Sequence, residues 1–304
     1  MFNKNLLHFV TSLGKRVLTL YLLFFLLFHI FADENKIKAK TLNSLKPESF
    51  NYLINLENNS APSDEKKTAS YIRYFKKIIQ YMPSVSGAYG LLGFCYYQEG
   101  KFKEATSWYK KAHRSHPNTF LFCYCLGIIH FKNQDYPKAI QYLENAASLN
   151  TEDYLNFTTS TKIYLPLLDI SDESMNTLSL RFKTHLSHCH TLLAMGYYYS
   201  KDFSNMFGSA NHAISLGLPD QGFFYYLAGL AAYEQQKHEI AIKFFMESLK
   251  NNFKHPKVYH YLGLSLKNMG KGPEAKKFII AATPQIESFD LLQSEADKIT
   301  LPLY

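Results

Sequence analysis

An all-α solenoid of antiparallel helix pairs is the fold class predicted by this sequence of 304 residues. Three observations carry that prediction. Gly93, Gly127, Gly196, Gly229 and Gly263 each follow a Leu, Met or Ala inside an aromatic-rich helical pattern, and the steps from 93 to 127 and from 229 to 263 are both 34 residues. Around them the same residue sizes return at the same offset, with Ala105, Tyr109 and Ala112 becoming Ala139, Leu143 and Ala146 after another 34. A fixed period of this length marks stacked helical pairs, each of which buries its apolar face only against a neighbour. Finally, 47% apolar content with only 14 Gly and 11 Pro leaves little room for disorder beyond the amino-terminal third.

The repeat can be read residue by residue. Tyr89, Leu92, Gly93, Tyr96, Ala105, Tyr109, Ala112 and Pro117 resemble the tetratricopeptide pattern W-x2-L-G-x2-Y, A-x3-F, P, with Tyr standing for Trp and for Phe. A second unit reads Cys123, Leu126, Gly127, His130, Ala139, Leu143 and Ala146, and replaces the closing Pro with Thr151. The third has Leu192, Met195, Gly196 and Tyr199. Its second helix stays in register through Phe203, Met206, Ala210 and Ala213 when the turn is two residues short. Tyr225, Ala228, Gly229, Ala232, Ala241 and Phe245 form the fourth unit, and Tyr259, Leu262, Gly263, Leu266, Ala275, Ile279 and Ala282 the fifth. Small residues let two helices cross closely while bulky ones fill the remaining space. The resemblance covers roughly residues 86 to 283 and implies a right-handed superhelix of antiparallel pairs.

The chain divides accordingly. Residues 1–32 read as an export signal or a membrane anchor, because Lys4, Lys15 and Arg16 precede the apolar run Val17 to Ala32 and Asp33 and Glu34 follow it at once. Sixteen helical residues span about 24 Å, short of a hydrocarbon core of about 30 Å. Positive charge lies before the run, so either reading leaves the repeats on the non-cytoplasmic side. Residues 33–62 are a polar linker, and 63–85 a capping helix or partial repeat begun by Ser63, with an apolar stripe of Tyr71, Ile72, Phe75, Ile78 and Ile79. Two repeat units occupy 86–151. A degenerate helical pair is expected over 152–187, because Gly127 and Gly196 are 69 residues apart, one more than twice 34. Three units fill 188–283, and 284–304 form a carboxy-terminal cap or tail.

Chemistry is sparse. No G-x-G-x-x-G stretch, P-loop, H-E-x-x-H or G-x-S-x-G occurs, and the segments outside the repeats are too short for an enzyme fold. No catalytic residue, cofactor or metal is assigned. Cys95, Cys123, Cys125 and Cys189 lack C-x-x-C spacing and read as small buried residues, with a Cys95 to Cys125 bridge the alternative. His185, His188, Cys189 and His190 form the one cluster with metal-ligand chemistry. On a helix only His185, His188 and Cys189 can share a face, and the cluster reads as ordinary surface between repeats.

In proteins the chain resembles, the first helices of successive units line a concave groove. Carried over by position, this places Phe94 and Tyr97, then Tyr124, Ile128 and Phe131, then Tyr197, in the groove. The fourth unit adds Phe223, Tyr226, Leu230 and Tyr233, and the fifth Lys257, His260 and Leu264. No first-helix set here combines the Lys and Asn of the family's carboxylate-clamp members. A groove of aromatic rings suits an extended peptide or an amphipathic helix. The implied function is a non-enzymatic protein-interaction scaffold, exported or membrane-anchored; the alternatives are a docking subunit of an envelope enzyme and a glycan or small-ligand binder. The net charge of +8 is spread over helix ends and turns, which favours a protein segment, with an anionic membrane surface second, and argues against nucleic acid.

Overall fold

The computed structural model describes residues 64–154, 175–282 and 290–302, together with Lys36, Lys38, Lys40 and Thr41. Among these residues there are helices and no strand. In chain order they are α1 (Glu65–Tyr81), α2 (Ser86–Gln98), α3 (Phe102–Ser115), α4 (Phe120–Lys132), α5 (Tyr136–Ala147), α6 (Met175–Tyr199), α7 (Phe203–Ser215), α8 (Gly222–Glu234), α9 (His238–Lys250), α10 (Pro256–Asn268), α11 (Gly272–Ala282) and α12 (Leu291–Asp297). From α1 to α11 each helix packs on the next, and the first helices α4, α6, α8 and α10 also touch in succession. That is the connectivity of a solenoid.

The two helices of a unit differ because they occupy different layers. First helices are buried nearly all round: in α4 every residue from Phe120 to Phe131 is covered. Second helices bury one stripe, Ala105, Tyr109 and Ala112 in α3 and Ala139, Leu143 and Ala146 in α5. The first helices α2, α4 and α8 are apolar on nearly all faces and the second helices amphipathic, as their layers require.

The glycines fit this layering. A Cβ at Gly93 would lie 2.8 Å from the Tyr109 ring, at Gly127 2.5 Å from Leu143, at Gly229 2.7 Å from the Phe245 ring and at Gly263 2.7 Å from Ile279. Each partner stands sixteen residues on (93 to 109, 127 to 143, 229 to 245, 263 to 279). Gly196 departs from the rule. The turn after α6 is as long as the others, three residues between Tyr199 and Phe203 as between Lys132 and Tyr136, so the expected shortening by two does not occur. Ala194, sixteen residues before Ala210, holds the glycine's place, both fully buried, and a Cβ at Gly196 would instead meet Ile140 of the preceding unit at 3.1 Å.

Every first helix ends the same way. Gly100, Gln134, Lys201, Gln236 and Gly270 all have positive φ, between 58° and 78°. In each case the following amide donates to the carbonyl five residues back, as from Lys101 to Tyr96 and from Asp135 to His130, both at 2.9 Å. This is the Schellman closure, in which a left-handed residue reverses the chain and satisfies the helix's last carbonyls. The repeat therefore has a second marker that its side-chain types conceal, because three of the five left-handed residues are Gln or Lys.

Three expectations shift at the edges. The cap of α1 is Asp64 rather than Ser63: its carboxylate accepts from the amides of Lys66 and Lys67 at 2.9 and 3.1 Å. A carboxylate one residue nearer the helix reaches both free amides and meets the positive end of the helix dipole. Tyr71, Phe75 and Ile78, 34 residues before Ala105, Tyr109 and Ala112, are buried, so α1 stands where the second helix of an earlier repeat would stand. The boundary expected at 187/188 falls inside α6, which runs unbroken for 25 residues. Its apolar residues Leu178 and Phe182 extend the buried face upstream of the repeat, so nothing stops the helix there. The Val17–Ala32 run, the 33–62 linker and residues 155–174 of the expected degenerate pair lie outside the described residues. No described helix is long and apolar enough to cross a membrane.

Gly127→Ala is expected to lower stability by about 1 to 3 kcal/mol through overpacking against Leu143. Gly208→Ala, with nothing within 4 Å of the added Cβ, should be neutral or stabilising. Thermal melts of the two variants check the contrast.

Candidate partner-binding groove

The first helices carry the aromatic residues expected of a groove, and the structure sorts them into two groups. Phe94, Tyr124, Phe131 and Tyr226 are 0 to 1% exposed and belong to the continuous apolar core. Tyr124 packs on His185 and on Phe120, and Tyr226 on Phe245, Phe253 and Tyr261. These four rings are covered by the chain itself and cannot present a face to a partner. The reason is geometric: large residues facing the next first helix fill the gap between units, so the inter-unit seam consumes them. Ile128 and Leu230 are buried for the same reason.

Tyr197 and Phe223 are each 8% exposed. The Tyr197 hydroxyl donates to Glu144 of α5, a bond joining the second and third units. Phe223 stacks beside Tyr226 and packs edge-on against Phe253. Tyr97, Tyr233, Lys257, His260 and Leu264 are half-buried and keep accessible surface.

The sequence pattern passed over the neighbours that complete this surface. Tyr198 and Tyr199 at the end of α6, and Tyr261 in α10, are half-buried beside the predicted set. Tyr199 stacks on Tyr136 with ring centres 4.4 Å apart, and Tyr233 meets Tyr261 at 5.1 Å. Burial raises the phenol pKa values of both Tyr198 and Tyr261. The run Tyr197, Tyr198, Tyr199 was itself a signal, since three consecutive rings on a helix cannot all face the core. Glu234 lies in the same region, and burial raises its carboxyl above the usual range.

A further occupant comes from the carboxy terminus. Residues 290–302 return to the first helices, where Tyr199 donates to the Asp290 carboxylate at 3.2 Å. Leu291, Leu292, Ala296, Ile299 and Leu301 join the same apolar core. Tyr97 is pushed up to about 12 by burial, then by Asp297 and Cys125. Lys132 is lowered by burial, which Asp297 opposes.

The histidine and cysteine cluster disperses. Cys189 donates to the Leu143 carbonyl at 3.3 Å, His185 packs on Tyr124 and Tyr154, and His190 stacks on His212 with ring centres 5.1 Å apart. All four cysteines are buried free thiols, so Cys95 and Cys125 form no bridge.

A family model described as tetratricopeptide repeat matches residues 224–255, and one described as anaphase-promoting complex, cyclosome, subunit 3 matches residues 64–146. The chain carries tetratricopeptide repeats. Over 121 residues it is 25% identical to anaphase-promoting complex subunit 3 of Schizosaccharomyces pombe (strain 972), a stretch covering 40% of this chain and 18% of that protein's length. Among solved structures it is similar to MamA, with TM-score 0.51 and 18% identity over 69% of this chain and 100% of that one. YrrB, described as a TPR protein with an unusual peptide-binding site, gives TM-score 0.53 and 13% identity over 74% of this chain and 98% of YrrB. PilF of Pseudomonas aeruginosa gives 0.52 and 12% over 86% of this chain and 98% of PilF. At these identities the structures share the fold, a right-handed superhelical TPR solenoid.

Two histidines behind the groove make stability depend on pH. Burial first, then His188 and Arg181, lowers His185 to about 3; burial, then His212, lowers His190 to about 4. Both are neutral in the folded chain and titrate near 6.5 when unfolded, so their contribution is present above pH 6.5 and is lost as the pH falls towards the folded values. Each is expected to cost up to about 1 kcal/mol between pH 7 and pH 5.5. Melts of His185→Gln across that range should show a shallower loss than wild type.

Proposed function

We propose that this TPR protein is a non-enzymatic scaffold whose first helices hold a short segment of a partner protein. One observation carries the reading. Tyr198 and Tyr199, then Tyr233, then Tyr261 place half-buried rings along the first helices of three consecutive units, with His260 and Lys257 at the margin. Tyrosine offers large contact area and a hydrogen-bonding tip at low conformational cost, which suits a peptide lying across several repeats. The peptide-binding site of YrrB is consistent with this use of the fold. The chain contains none of the usual catalytic motifs, which supports binding rather than turnover.

Export or anchoring through Val17–Ala32, with the repeats on the non-cytoplasmic side, is part of the proposal. It rests on the basic residues before the run and the acidic pair after it. A reporter fused after Tyr304 should be active beyond the membrane, and activity confined to the cytosol would refute the placement.

The groove reading is tested with peptides selected by display on the full chain. Tyr233→Ala with His260→Ala should weaken them by about 1 to 3 kcal/mol for each ring that is a hot spot, with an unchanged melt. Loss of the fold without selective loss of binding would show that these rings only pack.

A further inference from the structure

We propose that residues 290–302 are a built-in ligand of the groove, seated in cis and displaced by a partner segment of the same design: an acidic helix cap, a short amphipathic helix and an apolar extended end. The inference rests on the groove reading above and adds the class of its ligand and the means of its control.

The tail has the features of a bound peptide. α12 is seven residues long, far below the length at which an isolated helix persists in water, so its order comes from what it lies against. Asp290 serves two functions. Its Oδ1 accepts from the amides of Leu292 and Gln293 at 3.1 and 3.3 Å, closing the helix start, while its Oδ2 accepts from Tyr199 on the first helix of the third unit. Leu291, Leu292, Ala296, Ile299 and Leu301, all 5% exposed or less, form one buried face, and Asp297 and Lys298 are exposed. Charge adds a smaller effect: Asp297 favours the cationic form of Lys132 in the second unit, while Glu295 and Lys298 of the tail act in opposite senses on His255. A partner helix in an aromatic groove would make these same kinds of contact.

Seating in cis sets the strength of any competitor. A tethered segment acts at an effective concentration of about millimolar, so an external segment binds weakly until the tail leaves. The apparent affinity then falls with the fraction of chains whose groove is open.

The probe is a fluorescein-labelled synthetic peptide of residues 288–304, titrated into the full chain and into the full-chain variants Leu292→Asp and Ala296→Asp. Both variants should keep their helical circular dichroism and bind the peptide at least tenfold more tightly than wild type. Saturating peptide should also speed hydrogen exchange of the wild-type chain's own amides 292–299. Equal affinities, peptide bound without faster exchange in the tail, or both variants unfolding would each overturn the proposal; unfolding would make the tail core rather than ligand. Display-selected peptides that hold wild type and Leu292→Asp equally well would also overturn it while leaving the groove reading intact. Tail peptide binding tightly to the variants alone, with no display-selected peptide binding either chain, would support the tail and remove the wider reading.

Discussion

The structure depends on one close approach, that of a first helix to its own second helix where a glycine meets a bulky side chain sixteen residues on. Tyr109, Leu143, Phe245 and Ile279 occupy the space left by Gly93, Gly127, Gly229 and Gly263. The spacing of the layers follows from this contact. With the second helices this close, the first helices are sheathed on their outer side, and their remaining faces must fill the seams between units. That requirement takes Phe94, Tyr124, Phe131 and Tyr226 out of the groove and leaves ring edges such as Tyr233 and Tyr261 to line it. The third unit keeps the same sixteen-residue spacing with a small residue at both places, Ala194 and Ala210.

The fold was legible because its markers are local and periodic. Glycine and alanine at fixed offsets report close packing wherever the chain folds back, but Gly196 misled the count in the third unit, because Ala194 and not Gly196 holds the contact place and the turn keeps its ordinary length. The left-handed turn residues were not legible, since Gln134, Lys201 and Gln236 do not look like residues that favour positive φ. The end of the degenerate segment was also hidden. No glycine or proline interrupts Met175 to Tyr199, and only the packing of Leu178 and Phe182 shows how far back the helix reaches.

Which first-helix rings stay accessible was only partly legible, for a related reason. Position within a repeat says which helix a residue is on, but the seam and the groove lie barely one helical step apart. Phe131 and Tyr233 hold comparable places in their units, yet Phe131 is covered in the seam and Tyr233 is not. The tail left a fainter mark. Asp290 before Leu291 and Leu292 is an ordinary helix start, and only tertiary structure shows that the same carboxylate also receives the Tyr199 hydroxyl.

The tail has a mechanical consequence as well. A solenoid whose units touch only their neighbours is elastic, because small rotations at each seam add along its length and the superhelix opens or winds like a spring. Residues 290–302 are held to the third unit by the Tyr199–Asp290 bond and share the apolar core of the repeats through Leu291, Leu292, Ala296, Ile299 and Leu301. A segment seated in this way resists such rotations where it is bound, so its release would be expected to let the repeats adjust their pitch to the length of what they wrap.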